Sequence, residues 1–442
     1  MKWKVAVPII LLLVTAGVIT FWQLTPRIEG FSPAESALLG RKPLKILFSQ
    51  SMDKTSVESH FSLDPPLSGE ITWNNSLNEL SFIPHKTWPA GESIKVLIQS
   101  GAKSHQKLPL LKTNTWTISV RPTQLAYLWP ADDKSNLYLV NPETGEFQTI
   151  TSEESGILDF TVSPDGLTIL YSLVKKGGES SIVFLDRVTG IVTPTVECSS
   201  GVCRSPQISP DESLLAYEYL PREAGVQPGI QIFDLETNTQ TPLGNSEEYL
   251  DNPLWSPSGW ISFYNHTQQR FEFWNPYTSE GLSFPNETGG DGTWSADGRY
   301  FVYTEIPFVS ETLAPRHLLM YDLLENQQVD LSIGNFFEHL NPSFSPQGLI
   351  LAYGRKSLDP DEWSPGRQLW IMDIDQGTSS GLTSAGDYHH SSFSWHPEGD
   401  QLAYVRYNQA TLSDPPEIWV INRDGTNNLR LIINGFSPTW IP

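Results

Sequence analysis

The chain has 442 residues, 39% of them apolar and 18% charged, with 32 Gly and 34 Pro; this excludes a single small fold and a disordered or coiled-coil composition, and leans all-β. The 50 acidic residues against 28 basic ones give a formal charge of −22. Residues 1–120 hold 12 Lys/Arg and 8 Asp/Glu, leaving 16 and 42 for the remainder, so the large C-terminal part lacks the basic footprint that nucleic acid requires.

In chain order, the first element is an uncharged run from Val5 to Trp22, which as a helix would reach about 27 Å, close to the hydrocarbon thickness of a bilayer. Lys2 and Lys4 precede it, so the positive-inside bias puts the N-terminus in the cytoplasm and the bulk of the chain outside. The same stretch also reads as a cleaved secretory signal, because Val14-Thr15-Ala16 has the small-residue character of a processing site. Both readings export the rest: residues 1–26 are expected to form a cytoplasmic tip and single-pass signal-anchor helix, or to be removed from a secreted protein.

Short alternating runs follow over residues 27–120: Leu44-Lys-Ile-Leu-Phe48, Ile71-Thr-Trp73, Glu79-Leu-Ser-Phe-Ile83, Ser93-Ile-Lys-Val-Leu-Ile98 and Thr115-Trp-Thr-Ile-Ser-Val120. Turn clusters separate them, which predicts a small antiparallel β-sandwich. With Phe48-Ser-Gln-Ser-Met-Asp53, Gly69-Glu-Ile-Thr-Trp73, Leu80-Ser-Phe-Ile-Pro84 and Trp88-Pro-Ala-Gly-Glu92, the stretch resembles the bacterial SbsA-type Ig-like domain of surface and envelope proteins. The resemblance implies a spacer or adhesion module rather than chemistry.

A repeat fills residues 121–442. Ser163-Pro-Asp-Gly, Ser209-Pro-Asp-Glu, Ser256-Pro-Ser-Gly, Ser295-Ala-Asp-Gly, Ser345-Pro-Gln-Gly and His396-Pro-Glu-Gly each precede an apolar strand with Tyr eight positions on: Tyr171, Tyr217, Tyr264, Tyr303, Tyr353 and Tyr404. Spacings of 39 to 51 between successive tyrosines match a four-stranded propeller blade with loop insertions. A further strand in each unit ends in Asp or Asn, as in Ile182 to Asp186 and Leu369 to Asp373, and a hairpin turn such as Thr189-Gly190 follows.

Leu125-Ala-Tyr127 and Leu137-Tyr-Leu-Val-Asn141 supply three strands of a blade that lacks its first, and Pro438-Thr-Trp440-Ile-Pro442 supplies a lead-in to one. The C-terminal strand is therefore expected to complete the first blade and close a seven-bladed β-propeller without a free edge. The motifs resemble TolB-type, WD-repeat-like propeller repeats of bacterial envelope proteins. That resemblance implies the fold and leaves the function open, since propellers serve as scaffolds, receptors and enzymes.

His-Glu-x-x-His and phosphate-loop motifs are absent from the sequence. Cys198 and Cys203 bracket four residues, and in an exported protein they are expected to form a local disulfide. His339 stands five residues before Phe344 and His390 five before Trp395, so the two histidines hold equivalent repeat positions, expected near the channel mouth beside Glu338, Tyr388 and His389. A His-rich mouth of this kind is what oligogalacturonate-lyase-like propellers use to hold metal. Long connections at Glu305 to Arg316, Gly354 to Gln368 and Arg406 to Glu417 fall in the same sector.

His339, His390, Trp363, Arg355, Arg406, Phe308 and Tyr388 are accordingly the candidate ligand-binding residues. No cofactor, catalytic residue or metal ligand is assigned. The chain reads first as a non-catalytic, envelope-anchored binding or scaffold protein whose propeller head recognises an envelope protein or a glycan; the alternative is an extracytoplasmic polysaccharide-acting enzyme with a His-rich metal site at the mouth. Protease added outside intact cells or spheroplasts is expected to digest residues 121–442. Their protection would refute export.

Overall fold

The computed structural model describes residues 24–33, 42–85, 88–309, 312–313, 315–332 and 336–441. The apolar run from Val5 to Trp22 lies outside them; among the described residues no helix is long and apolar enough to cross a membrane. The chain divides near residue 123 into two compact units.

The N-terminal unit has two antiparallel sheets. One orders its strands Ile28–Ser32, Leu44–Phe48, Glu79–Pro84, Gly69–Trp73, and the other Phe61–Asp64, Ser93–Ile98, Asn114–Ser119. Alternate residues of the two, among them Leu44, Ile46, Phe48, Leu80 and Phe82 against Leu63, Ile94, Val96, Ile98 and Ile118, share one buried core, as period-two patterning demands of packed sheets. A five-residue helix, Lys54–Glu58, is capped by Asp53, whose carboxylate accepts from the Ser56 amide at 3.3 Å. Every run read from the sequence is a strand here. Ile28–Ser32 and Phe61–Asp64 were not read, because a glycine inside one and the four-residue length of the other hide the alternation.

In the second unit, residues 124–441, the described strands form seven four-stranded antiparallel sheets and one two-stranded hairpin, Phe308–Val309 with Thr312–Leu313. In six sheets the strands run in chain order. The remaining sheet joins Phe147–Thr149, Asn136–Val140 and Gln124–Trp129 to Phe436–Ile441 from the other end of the chain, with Thr439 opposite Ala126 and Trp440 opposite Leu125. Phe436–Ile441 also touches the first strands of both neighbouring sheets, Ile157–Val162 and Tyr388–Trp395. The two ends of this unit thus meet inside one sheet, and the array is a β-propeller.

The repeat motif has a physical task in each sheet. Ser163 donates to Asp165 at 2.6 Å and accepts the Thr168 amide at 2.9 Å, and Ser209 does the same with Asp211 and Leu214 at 2.6 and 2.9 Å. These buried serines tie the turn between the first two strands, where Gly166 and Gly298 take φ near +70°. The six repeat tyrosines are at most 2% exposed and pack between sheets. Tyr264 and Tyr404 satisfy their hydroxyls on the Asn286 carbonyl and the Asn428 side chain, each at 2.7 Å.

First strands carry a device that was not read from the sequence. Ser205, Asn252, Asn341, Ser392 and Ser437 have φ between +50° and +53° at a shift of register against the second strand. These are β-bulges, and proline follows four of the five, as suits a site where ladder pairing lapses.

Cys198 and Cys203 are joined in a disulfide. It links the last strand of one sheet, Val192–Cys198, to the first strand of the next, Gly201–Ile208.

Removing residues 436–442 is expected to expose an unpaired strand edge along Gln124–Trp129 and to forfeit the burial of Trp440 and Ile441, each worth about 1.5–3 kcal/mol. The measured outcome should be aggregation or loss of a cooperative melting transition; an unchanged melting curve would rule out closure by this strand.

Candidate binding face

Two neighbouring sheets, Phe337–Gly381 and Tyr388–Ile433, repeat one construction. In the first, Arg355 on the second strand lies over the rings of Phe337 and Trp370, with Cζ 3.5 and 4.2 Å from their centroids. In the second, Arg406 lies over Tyr388 and Trp419 at 4.1 and 3.8 Å. Each arginine follows a repeat tyrosine by two residues, so it points to the same side of the strand, and the first and third strands supply its rings. Stacking of this kind holds a guanidinium in place while leaving its in-plane N–H groups free to bond.

The surroundings of the two arginines differ. Arg406 donates to Glu417 at 2.8 Å, and Glu417 also accepts from Trp419 and Arg430 at 2.9 and 2.7 Å. Burial pushes the Glu417 carboxyl up, but its bonds to Arg406, Arg430 and Trp419 outweigh that and leave it lowered. No carboxylate among the described residues pairs with Arg355.

Both arginines were expected in loops, and both lie in strands, Ile350–Ser357 and Gln401–Asn408. The second strands outrun the repeat tyrosine by four residues because the first strands stay paired with them beyond the bulge, His339 opposite Arg355 and His390 opposite Arg406. The connections proper are therefore shorter, residues 358–367 and 409–416.

The histidines need a second correction. His339 and His390 are equivalent, as the repeat predicts, but they are 2% and 1% exposed rather than open at the mouth. Each packs on the repeat tyrosine of its own sheet, with centroids 5.5 Å apart for His339 and Tyr353 and 5.4 Å for His390 and Tyr404. The Nδ1 atom of His390 is 2.8 Å from the Arg367 carbonyl. Burial above all, then Arg355, pushes His339 down to about 4; burial does the same to His390, with Arg406 adding to it. Both are neutral at neutral pH. Among the described residues no group of three His, Cys, Asp or Glu lies close enough together to hold a metal ion.

Trp363 is the exposed member, 56% accessible, on the connection after Ile350–Ser357. The Lys356 ammonium sits 4.7 Å from its ring centroid. In the same two sheets Arg367 pairs with Glu338 at 2.6 Å, and the His389 and Tyr407 rings meet tilted, with centroids 4.9 Å apart. Phe308 lies outside the residues whose side chains are described. The predicted set thus separates into Arg355 with His339, Arg406 with Tyr388 and His390, and Trp363 with Lys356, all where second strands pass into third strands.

A polar network on other sheets was missed. Arg204 donates to the 4%-exposed Glu218 at 2.6 Å, which also accepts the Asn252 amide at 3.0 Å; Asp159 accepts the Ser205 amide at 2.6 Å. Asp251 bonds His266 at 2.7 Å, and Tyr249 stacks on that imidazole at 4.2 Å. Burial pushes the Asp159 and Asp251 carboxyls up. Asp159, Ser205 and Asn252 each stand four residues before the repeat serine, so alignment of that column would have exposed the signal.

No family model matches the chain. An uncharacterized protein of Agrobacterium fabrum is 25% identical over 275 residues, 60% of this chain and 73% of that protein. An oligogalacturonate lyase in complex with manganese aligns over 67% of this chain and 85% of its own with a TM-score of 0.52 at 17% identity. The β-propeller domain of the Trilobed protease from Pyrococcus furiosus aligns over 78% and 93% with a TM-score of 0.50 at 12% identity. TolB from Acinetobacter baumannii aligns over 87% and 83% with a TM-score of 0.47 at 15% identity. What the chain shares with the lyase and the protease domain is the fold.

The depressed histidines predict an acid-side loss of stability. An unfolded histidine titrates near 6.5 and the folded ones near 4, so between these values the unfolded state binds protons that the folded state refuses, and stability falls as pH falls through that window. Each histidine contributes at most about 1.4 kcal/mol per pH unit there. His390→Gln should flatten the decline in melting temperature between pH 6.5 and 4.5; an unaltered slope would count against a buried neutral imidazole.

Proposed function

We propose that this chain is a non-catalytic binding protein of the cell envelope, with an Ig-like sandwich as spacer and a seven-bladed, TolB-type propeller as the head that captures an envelope protein or glycan. The observation that carries the reading is the pair of arginine–aromatic sandwiches on adjacent sheets, beside an exposed Trp363 and Lys356. Aromatic rings and arginines of this kind anchor interfaces because they bury large area without losing much side-chain freedom. A local disulfide and a C-terminal part with 42 acidic and 16 basic residues suit an exported protein that avoids nucleic acid. The apolar run from Val5 to Trp22 would hold it at the membrane. The enzyme alternative loses its exposed histidine pair, since the two residues on which it relied are buried and packed against separate tyrosines.

Arg406 is a poor choice for probing this surface, because its loss would leave Glu417 short of a partner inside the sheet. Trp363 and Lys356 are better. Replacing both with Ala should weaken capture of the partner on immobilised ectodomain by roughly 30-fold, the effect of about 2 kcal/mol at an interface anchor, with an unchanged melting transition. Full capture by that variant, or turnover of a bound glycan by the wild type, would overturn the reading.

A further inference from the structure

The turn that opens each repeat unit ends in glycine in five of six units, Gly166, Gly259, Gly298, Gly348 and Gly399, all with φ between +69° and +88°. In the sixth, Ser209-Pro-Asp-Glu212, a glutamate takes that place with φ +59°. A side chain in the left-handed region costs backbone energy that glycine avoids. Five glycines show that the turn itself needs no side chain at this position.

Equivalent turns show where that side chain is sent. A methyl group added at Gly298 would lie 2.6 Å from the Ser258 Oγ, and one at Gly399 would lie 2.9 Å from the Gln347 Cγ; Ser258 and Gln347 are the third motif residues of the preceding sheets. For Glu212 that residue is Asp165. The Asp165 amide and carboxyl both hydrogen-bond the Glu212 carboxyl, and both residues are half-buried. Asp165 is held in its own turn, where Oδ1 accepts from Ser163 at 2.6 Å and from the Leu167 amide at 2.8 Å. Of the other charged groups, Asp211 in the same turn adds negative charge and accepts from the Tyr277 hydroxyl of the following sheet at 2.7 Å. Arg187 of the preceding sheet donates to the Gly166 carbonyl and to Gln124.

We propose that Glu212 and Asp165 hold one proton between them and act as a pH-sensitive clasp between the sheets of residues 157–198 and 201–242, closed in acid and opened in alkali. Two carboxyl groups in hydrogen-bond contact at a half-buried site repel when both ionise, so one keeps its proton and donates it to the other. Burial, then the Asp165 carboxylate, pushes the Glu212 carboxyl up to about 7. An unfolded glutamate titrates near 4.5, so between the two values the folded chain keeps a proton that the unfolded chain has lost. The contribution is whole below pH 4.5 and is lost as pH rises through 7, opposite in sign to that of the buried histidines. At the far end of the strand Gly201–Ile208 the Cys198–Cys203 disulfide ties the same two sheets. Alkali therefore frees one end of the junction and leaves the other fixed. The clasp does not depend on the binding-head reading.

The test is thermal melting of the full chain from pH 5 to 8.5, wild type beside Glu212→Gln and Glu212→Gly. The amide keeps the size and the left-handed backbone but donates at every pH; glycine restores the residue of the other five units and guards against a misfolded amide variant. Across that range the wild type should lose about 3–6 °C relative to either variant. Amide hydrogen exchange, corrected for its intrinsic pH dependence, should rise above pH 7 in residues 163–167 and 209–214 of the wild type only, with residues 196–205 unchanged. Wild type melting in parallel with either variant, a gain on them as pH rises, or exchange that rises equally at the disulfide end would overturn the clasp.

Discussion

Pairing between Phe436–Ile441 and Gln124–Trp129 is the constraint on which the larger unit depends. A sheet array that bends round an axis ends in an exposed row of backbone donors and acceptors unless its last strand finds its first sheet. Here the terminal strand takes the inner place in that sheet and touches the first strands on either side, so the backbone groups of Gln124–Trp129 that lack a local partner are satisfied from about 300 residues away in sequence, a loop closure whose entropy grows only slowly with length. Once that contact is made, the other sheets are held between two neighbours rather than one.

Inside the ring, apolar packing and polar bonding divide the work by position along the strand. Tyrosines and branched residues in mid-strand fill the space between sheets, and the buried serines at the turns convert backbone groups that leave the ladder into short side-chain bonds. Bulges at Ser205, Asn252, Asn341, Ser392 and Ser437 turn the first strands at the same level. There the backbone amides of Ser205 and Asn252 donate to Asp159 and Glu218, and the Asn341 side chain donates to Asp291 at 2.7 Å. Neighbouring sheets are thus stitched by polar contacts where their apolar faces run out.

That scaffold decides what the binding face can be. Stacked arginines fixed by three strands of one sheet are more precise anchors than the same residues on a loop, because their rotamers are set by packing. The buried histidines give up any role as exposed ligands and instead shape the wall behind the arginines. Outside the strands lies the connection carrying the exposed Trp363, whose ring packs against Lys356.

The sequence by itself determined the strand periodicity, the repeat, the all-β class, the equivalence of His339 with His390 and the partnership of the two ends of the propeller. These are local or in-register properties: alternation, turn chemistry and a fixed column of tyrosines are written residue by residue. Tertiary structure decided exposure and partnership. Arg355 and Arg406 look alike in the sequence, yet one faces Glu417 and the other Gln368 only because the third strand pairs in a particular register. His339 and His390 read as mouth residues until the neighbouring sheet covered them, and the Arg204–Glu218 bond to the Asn252 amide joins groups 14 to 48 positions apart. Burial and ion pairing depend on which sheet lies against which, and that distance in space is not encoded by distance along the chain.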